Sequence, residues 1–471
     1  MKPAQKINAV EIYALVFGLF LGLAIWKFGD PVILDHKIIA PVTPAEFLDD
    51  VWPTHWANWI FPPLAFAGAV VAVKVKSRWP GTRWLWRLPL LWFGWQIFSA
   101  TCSEYGDLTA PTLWQFFGCA ACYFLGALVL GRERALHWLL VGVLAAFAFC
   151  LVRAVEQRLV EFPESHQMLV EGERDGWTNV PPAMLLEMKR EQVVITTNGV
   201  DVANPVVLKK FASGRVMGTL VYPNALAGAV LLLWPLALTL ACNAKNLRPA
   251  IRGTVIALTG LLGGAGFFWS GSKLGWLIAL ALGGLYLFRL PWPARLKIVA
   301  LAAVVIVGLG IFAVRFHHYF AAGATSVGAR FDYWRAAVQT TQIHPFTGTG
   351  PGTFQRPYEQ IKSPDAEMAR LAHNDYLEQF SDSGISGGVF YGAWIALALI
   401  SIGRKIWRSE TRAAGPSAVQ FAIFIGLLGW FVQGLGEFSL YIPALAWTAF
   451  TLLGCLLALA GNQFDKNPAA G

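Results

Sequence analysis

Charge is scarce in this chain. Only 14% of its 471 residues are Asp, Glu, Lys or Arg, against about 25% in an ordinary soluble domain. The deficit runs the whole length, which excludes a water-soluble globular protein and points to a polytopic one that lives in lipid. Cysteine is scarce too. All six (Cys102, Cys119, Cys122, Cys150, Cys242, Cys455) lie in or at the ends of apolar runs, so a disulfide framework is excluded. Cys119 and Cys122 stand one helical turn apart, but no second thiol or histidine pair completes a zinc site. The sequence therefore predicts neither a metal nor a cofactor. Internal repeats are also missing. The net charge of +9 does not indicate nucleic acid, because its positive residues fall in short loops between apolar runs, where membrane topology puts them.

What is present is apolar: 56% of the residues are hydrophobic and 21 are Trp. Runs of roughly 17–22 apolar residues are long enough to span a bilayer. Such runs lie near residues 9–27, 57–73, 88–103, 111–131, 135–155, 217–241, 252–270, 272–289, 296–314, 384–402, 418–437 and 442–461. The expected fold is all-α, a bundle of about 12 transmembrane helices. Lys2 and Lys6 precede the first run, which is long for a signal-peptide core and lacks a small-residue cleavage site, so it reads as an uncleaved span.

The loops test the count. With the N-terminus inside, the inner loops hold Lys74, Lys76, Arg78, Arg83 and Arg87, then Arg132 and Arg134, then Lys245, Arg248 and Arg252, then Arg289, Arg295 and Lys297, then Arg404, Lys405, Arg408 and Arg412. Short outer loops hold Asp35, Glu46, Asp49, Asp50, Glu104 and Asp107. Every inner loop is basic, as the positive-inside rule requires. Two long loops, 156–216 and 315–383, fall outside and divide the chain into segments 1–155, 156–216, 217–314, 315–383 and 384–471. The first long loop carries a strand-like stretch, Gln192 to Thr197, before the turn pair Asn198-Gly199.

Polar chemistry concentrates at the outer face. Leu371-Ala372-His373-Asn374-Asp375-Tyr376-Leu377-Glu378 sets a histidine, an amide and two carboxylates directly before an apolar run. An imidazole with its ordinary pKa of about 6.5 is the best general base near neutral pH. Asp375 and Glu378 are candidates to orient it or to hold a sugar hydroxyl, and Tyr376 to stack on a sugar face; a hydrogen-bonded surface histidine and an interfacial aromatic belt are the plain alternatives. Arg215 stands where the first long loop meets the sixth run, with Pro223 and Asn224 expected inside that run. An arginine so placed must snorkel, pair or bind an anion. Lys273 and Arg330 are further outer cations, and Glu437 is a carboxylate at the outer end of the eleventh run. Gly348, Gly350 and Gly352 have neither Rossmann nor Walker spacing, so they predict only a tight turn close to something. Three cations and a histidine on one face suit an anionic, membrane-anchored substrate such as a lipid diphosphate.

These residues occur in an order that resembles the O-antigen ligase/polymerase superfamily. The resemblance rests on Arg215 with Gly218 and Asn224, Ser272-Lys273-Leu274-Gly275, Arg330 with Trp334, His344-Pro345 followed by Gly348, Gly350 and Gly352, and His373-Asn374 with Tyr376-Leu377, Gly384 and Gly387. It covers about residues 213–455. Lys273 stands where the family more often has arginine, and Gln433 and Glu437 where many relatives have histidine and aspartate. The resemblance implies a GT-C-like bundle with two long periplasmic loops in the bacterial inner membrane. It implies a metal-independent, inverting transfer of a glycan from undecaprenyl diphosphate to a lipid, glycan or protein hydroxyl, of O-antigen ligase type. His373 would be the general base, and Arg215 and Arg330 would bind the diphosphate. Lys273, Asn374, Asp375, Tyr376 and Glu437 would complete the substrate site. A polymerase or a protein O-oligosaccharyltransferase would share this core. The rival from another class is a solute transporter, but no matching inverted halves are visible and the charges sit outside rather than at mid-membrane.

Overall fold

The computed structural model describes residues 8–321, 323–408 and 416–465; Lys2, Lys6 and Arg412 lie outside them. A helix forms at each of the twelve expected places: α1 (Ala9–Lys27), α2 (Ala57–Lys74), α3 (Trp84–Thr101), α4 (Gly106–Leu125), α5 (Glu133–Glu156), α6 (Pro223–Asn243), α7 (Pro249–Ser270), α8 (Lys273–Arg289), α9 (Ala294–Ala321), α10 (Asp375–Arg408), α11 (Pro416–Gln433) and α12 (Pro443–Asp465). Among the described residues nine helices are long and apolar enough to cross a membrane, while α3, α8 and α11 fall short in length or apolarity. The protein is a polytopic helical membrane protein.

Burial separates the helices by role. α12 is apolar on all sides and almost wholly buried, with Leu445, Phe450, Leu453 and Leu456 at 1% exposure or less, as expected of a central helix. Most of α9 faces outward, and Ile306 and Val314 are more than 70% exposed; an apolar face left open in this way is the lipid-facing side. Between α1 and α5 the backbones touch at Gly18 and Gly142. A Cβ at Gly18 would lie 2.2 Å from the Leu139 carbonyl oxygen, so only glycine permits this crossing.

The basic loops gather at one end. Arg134 pairs with Glu11 at the start of α1, and Arg289 at the end of α8 donates to the Ile406 carbonyl near the end of α10. The long loops carry structure at the opposite end. Within 156–216 lie helices Phe162–Arg174, Pro182–Arg190 and Pro205–Ser213 and the hairpin β1 (Val194–Thr197) and β2 (Val200–Ala203). Thr197 pairs with Val200 across Asn198-Gly199, both at positive φ, so the two-residue turn sits where the sequence placed it. Leu169, Trp177, Met188, Val194 and Ala203 give this region its own small core.

Several boundaries differ from the sequence reading, and three of them matter most. α6 begins at Pro223, not residue 217, because proline at the first helical position needs no amide donor. α10 begins at Asp375 and is broken at Gly384, whose φ of 67° and ψ of −173° are not helical. α11 stops at Gln433, and Gly434 and Gly436 turn the chain, so Glu437 lies in the linker to α12 rather than in a span.

Candidate functional site

The linker between α11 and α12 places one carboxylate at the centre of the end opposite the basic loops. Glu437 is 1% exposed. Its Oε1 accepts from Arg330 Nη2 at 2.6 Å and Asn224 Nδ2 at 2.8 Å. Its Oε2 accepts from the Tyr222 hydroxyl at 2.8 Å and faces His373 Nδ1 at 3.5 Å. One acidic side chain therefore gathers residues from the loop before α6, from the helix Thr325–Ile343 and from the segment before α10. A buried carboxylate requires such partners, because desolvating an unpaired charge is costly.

Each partner is held locally. Asn224 sits in the first turn of α6, its Oδ1 accepting from Arg215 Nη2 at 2.9 Å, while Gln433 Nε2 donates to the Asn224 carbonyl at 2.9 Å. Arg215 Nε donates to the Ser270 carbonyl at 2.8 Å, at the C-terminal end of α7, where a cation complements the helix dipole. Gly271 then caps α7 in the left-handed region and Ser272 caps α8, its side chain accepting from Gly275 N. This two-residue junction fixes Lys273 at the start of α8. Its Nζ lies 3.8 Å from the centre of the Tyr319 ring and 5.4 Å from that of Phe316, both on α9.

His373 has φ of 50°, an uncommon value for a residue with a Cβ. Its ring stacks on Tyr333 at 5.9 Å and meets Phe438 edge-on at 4.7 Å, while Phe438 stacks on Tyr222. With Nδ1 toward Glu437, the other ring nitrogen is left for chemistry. His373 is 28% exposed and Arg330 20%, so the pair borders open space.

The neighbouring motif residues face the protein. Asn374 accepts from Tyr376 N and Leu377 N, capping α10, and donates to the Leu435 carbonyl at 2.9 Å. Asp375, expected to contact substrate, is 2% exposed and accepts from Leu440 N. The Tyr376 hydroxyl donates to the Phe431 carbonyl at 3.0 Å. Glu378 accepts from Ala372 N and is fully buried, so it does not orient His373. The physical reason is common to all four: buried polar groups bond within the fold, and here they fix the segment that carries His373.

The glycine run finds its partner in Asp382. Gly352 N donates to Asp382 Oδ2 at 2.7 Å and Gly350 N to the Asp382 carbonyl at 2.8 Å. A Cβ at Gly384 would lie 2.1 Å from the Phe346 carbonyl oxygen. The run clasps the break in α10 and does not cradle a phosphate.

The sequence reading missed Arg315. Its guanidinium lies over the rings of Phe268 and Phe316, and it acts electrostatically on Arg215. Burial holds the Arg215 guanidinium below its usual pKa; Glu437 opposes that fall, while Arg330 and Arg315 add to it. The only sign of Arg315 in the sequence is a lone arginine at the end of an apolar run. Among the described residues four cations thus share one end with a single contacting carboxylate, and the surplus positive charge suits an anion.

Residues 258–392 match the family model described as O-antigen ligase. This match supports membership in the O-antigen ligase superfamily. No curated protein matches it. The matched stretch holds Lys273, Arg330 and His373, while Arg215, Asn224 and Glu437 reach the same site from outside it. The matched domain supports a function of the O-antigen ligase/polymerase type, and that family implies a glycosyltransferase-like enzyme with a glycan-linked lipid donor and an acceptor in a membrane.

Proposed function

We propose that this protein transfers a glycan from undecaprenyl diphosphate to an acceptor hydroxyl at the periplasmic face of a bacterial inner membrane, as an O-antigen ligase. The observation that carries the reading is the single carboxylate, Glu437, that holds Arg330 and His373 side by side.

In this mechanism the free ring nitrogen of His373 takes the proton from the acceptor hydroxyl. The oxygen attacks the anomeric carbon from the face opposite the diphosphate, so the configuration inverts. The anomeric C–O bond to phosphorus breaks, and its electrons leave with the lipid diphosphate. Arg330 and Arg215, with Lys273 and Arg315 nearby, stabilise that charge. These cations supply what the leaving group needs, so the reading includes no metal. Glu437 positions the imidazole and stabilises the imidazolium as it forms. Asn374, Asp375 and Tyr376 act as positioning residues in this reading.

The test is a reconstituted transfer assay with lipid-diphosphate-linked glycan and a panel of lipid, glycan and protein acceptors. Wild type is expected to transfer without added metal, and His373→Ala to lose about 100- to 10,000-fold in kcat, the usual worth of a general base. Transfer that is indifferent to His373 and Arg330 would overturn the mechanism. The acceptor used would separate ligase from polymerase and protein glycosylation. Transfer to none would favour the transporter.

A further inference from the structure

A largely apolar cavity of about 470 Å³ lies between α6, α8 and α11 toward the basic end of the bundle, away from the Glu437 site. Leu231, Trp234, Leu282 and Ile425 form part of its wall. Along α6 the lining runs from Val230 to Asn243, about 20 Å of helix. Half of a bilayer's hydrocarbon core is about 15 Å, so the cavity is as deep as one leaflet. Tyr286 lines it and is 47% exposed, so the cavity opens on the lipid-facing surface.

Its polar groups collect at the basic end. Thr239 and Asn243 stand one turn apart where α6 finishes, and Arg289 finishes α8; all three line the cavity and are half-buried. Among the described residues neither the Thr239 hydroxyl nor the Asn243 amide has a partner within the protein, and both keep accessible surface. Arg289 is held but not neutralised. Its Nη1 donates to the Ile406 carbonyl at 2.8 Å, and its guanidinium lies 4.7 Å from the centre of the Phe421 ring. Among the described residues no carboxylate pairs with it. The adjoining loops, 244–252 and 289–297, add Lys245, Arg248, Arg252, Arg295 and Lys297 but no Asp or Glu.

This layout selects an anionic amphiphile. A wholly apolar chain would leave Thr239, Asn243 and Arg289 facing hydrocarbon, where unpaired polar groups are costly. A small soluble anion would leave a leaflet-deep apolar wall uncovered. A zwitterionic head brings its own cation to a region that is already positive. A phospholipid of net negative charge sets its phosphate among the cations and lays an acyl chain along the wall. Basic pockets between transmembrane helices hold such heads by the same attraction.

We propose that this cavity binds one anionic phospholipid from the leaflet at the basic end. The inference does not rest on the glycan-transfer reading. The experiment uses the full chain in detergent micelles, titrated with dioleoyl-phosphatidylglycerol, dioleoyl-phosphatidylethanolamine or undecaprenol and read by native mass spectrometry. Wild type is expected to bind phosphatidylglycerol about tenfold more tightly than phosphatidylethanolamine. Arg289→Gln is expected to weaken phosphatidylglycerol about tenfold, the worth of one charge-assisted contact, and to leave phosphatidylethanolamine unchanged. Gly283→Phe fills the cavity from α8, where a Cβ would meet nothing within 4 Å. It is expected to abolish tight phosphatidylglycerol binding with the melting temperature unchanged. Equal affinity for the two phospholipids, or phosphatidylglycerol binding that both variants leave intact, would overturn the proposal. Undecaprenol binding more tightly than phosphatidylglycerol would assign the cavity to an isoprenoid tail and overturn it too. Should Gly283→Phe lower the melting temperature, Arg289→Gln decides alone, and an unchanged affinity there refutes the site.

Discussion

Glu437 carries four contacts on two oxygens, so its replacement separates electrostatics from shape. Glu437→Gln keeps the volume but leaves Arg330 without its counter-charge and His373 without an orienting anion. If transfer is the activity, kcat is expected to fall at least about 100-fold while the protein still folds. Steady-state kinetics beside a melting curve checks this, and unchanged kcat would remove Glu437 from the mechanism. Asp30 offers a different test at the same scale. Burial raises its pKa to about 6, with Lys210 opposing. The folded state therefore holds this proton more tightly than the unfolded chain, whose carboxyl titrates near 3.9. Stability from this group is present below about pH 4 and is lost as pH rises through about 6. Asp30→Asn is expected to melt above wild type at pH 8 and level with it at pH 4. A gap independent of pH would refute the assignment.

Among the elements, the broken α10 is the most constrained. Gly384 combines a φ of 67° with a Cβ position 2.1 Å from the Phe346 carbonyl, so Gly384→Ala suffers both strain and a backbone clash. A loss of about 1–3 kcal/mol or more is expected, with a lower melting temperature and reduced activity. The cap at the start of the same helix is milder. Asn374→Ala removes acceptors for Tyr376 N and Leu377 N and is expected to cost about 1 kcal/mol. If Asn374 instead contacts substrate, KM would change more than stability. The sequence showed these glycines as a turn near something. It did not show that the something was Asp382, because the bond from Gly352 N joins residues 30 apart in the chain.

For the whole molecule, basic loops and the candidate site occupy opposite ends, and two native cysteines report on that polarity. Cys102 follows α3 at the site end and Cys242 lies near the basic end of α6; both are exposed, while Cys119, Cys122, Cys150 and Cys455 are buried. An impermeant maleimide added to intact spheroplasts is expected to label Cys102 at once and Cys242 only after permeabilisation. The reverse order would put the site on the cytoplasmic face and end the periplasmic reading.

The sequence by itself determined the helical bundle, the basic loops, the Asn198-Gly199 hairpin and the likeness to the O-antigen ligase family. Each is written in a short stretch of chain: in a run's hydropathy, in a loop's charge, in two turn residues, or in motifs of a few positions. Tertiary structure alone decided which groups meet. Asn224 and Arg330 reach Glu437 across 213 and 107 residues of chain, and no local pattern encodes such a separation. It also decided which polar residues are committed to the fold. Asn374, Asp375 and Glu378 look like substrate ligands in the sequence, but burial obliges them to bond to backbone, the first two in the α11–α12 linker and Glu378 at Ala372. Arg330 and His373 remain at the edge of that packing, which leaves their charge and their free nitrogen available.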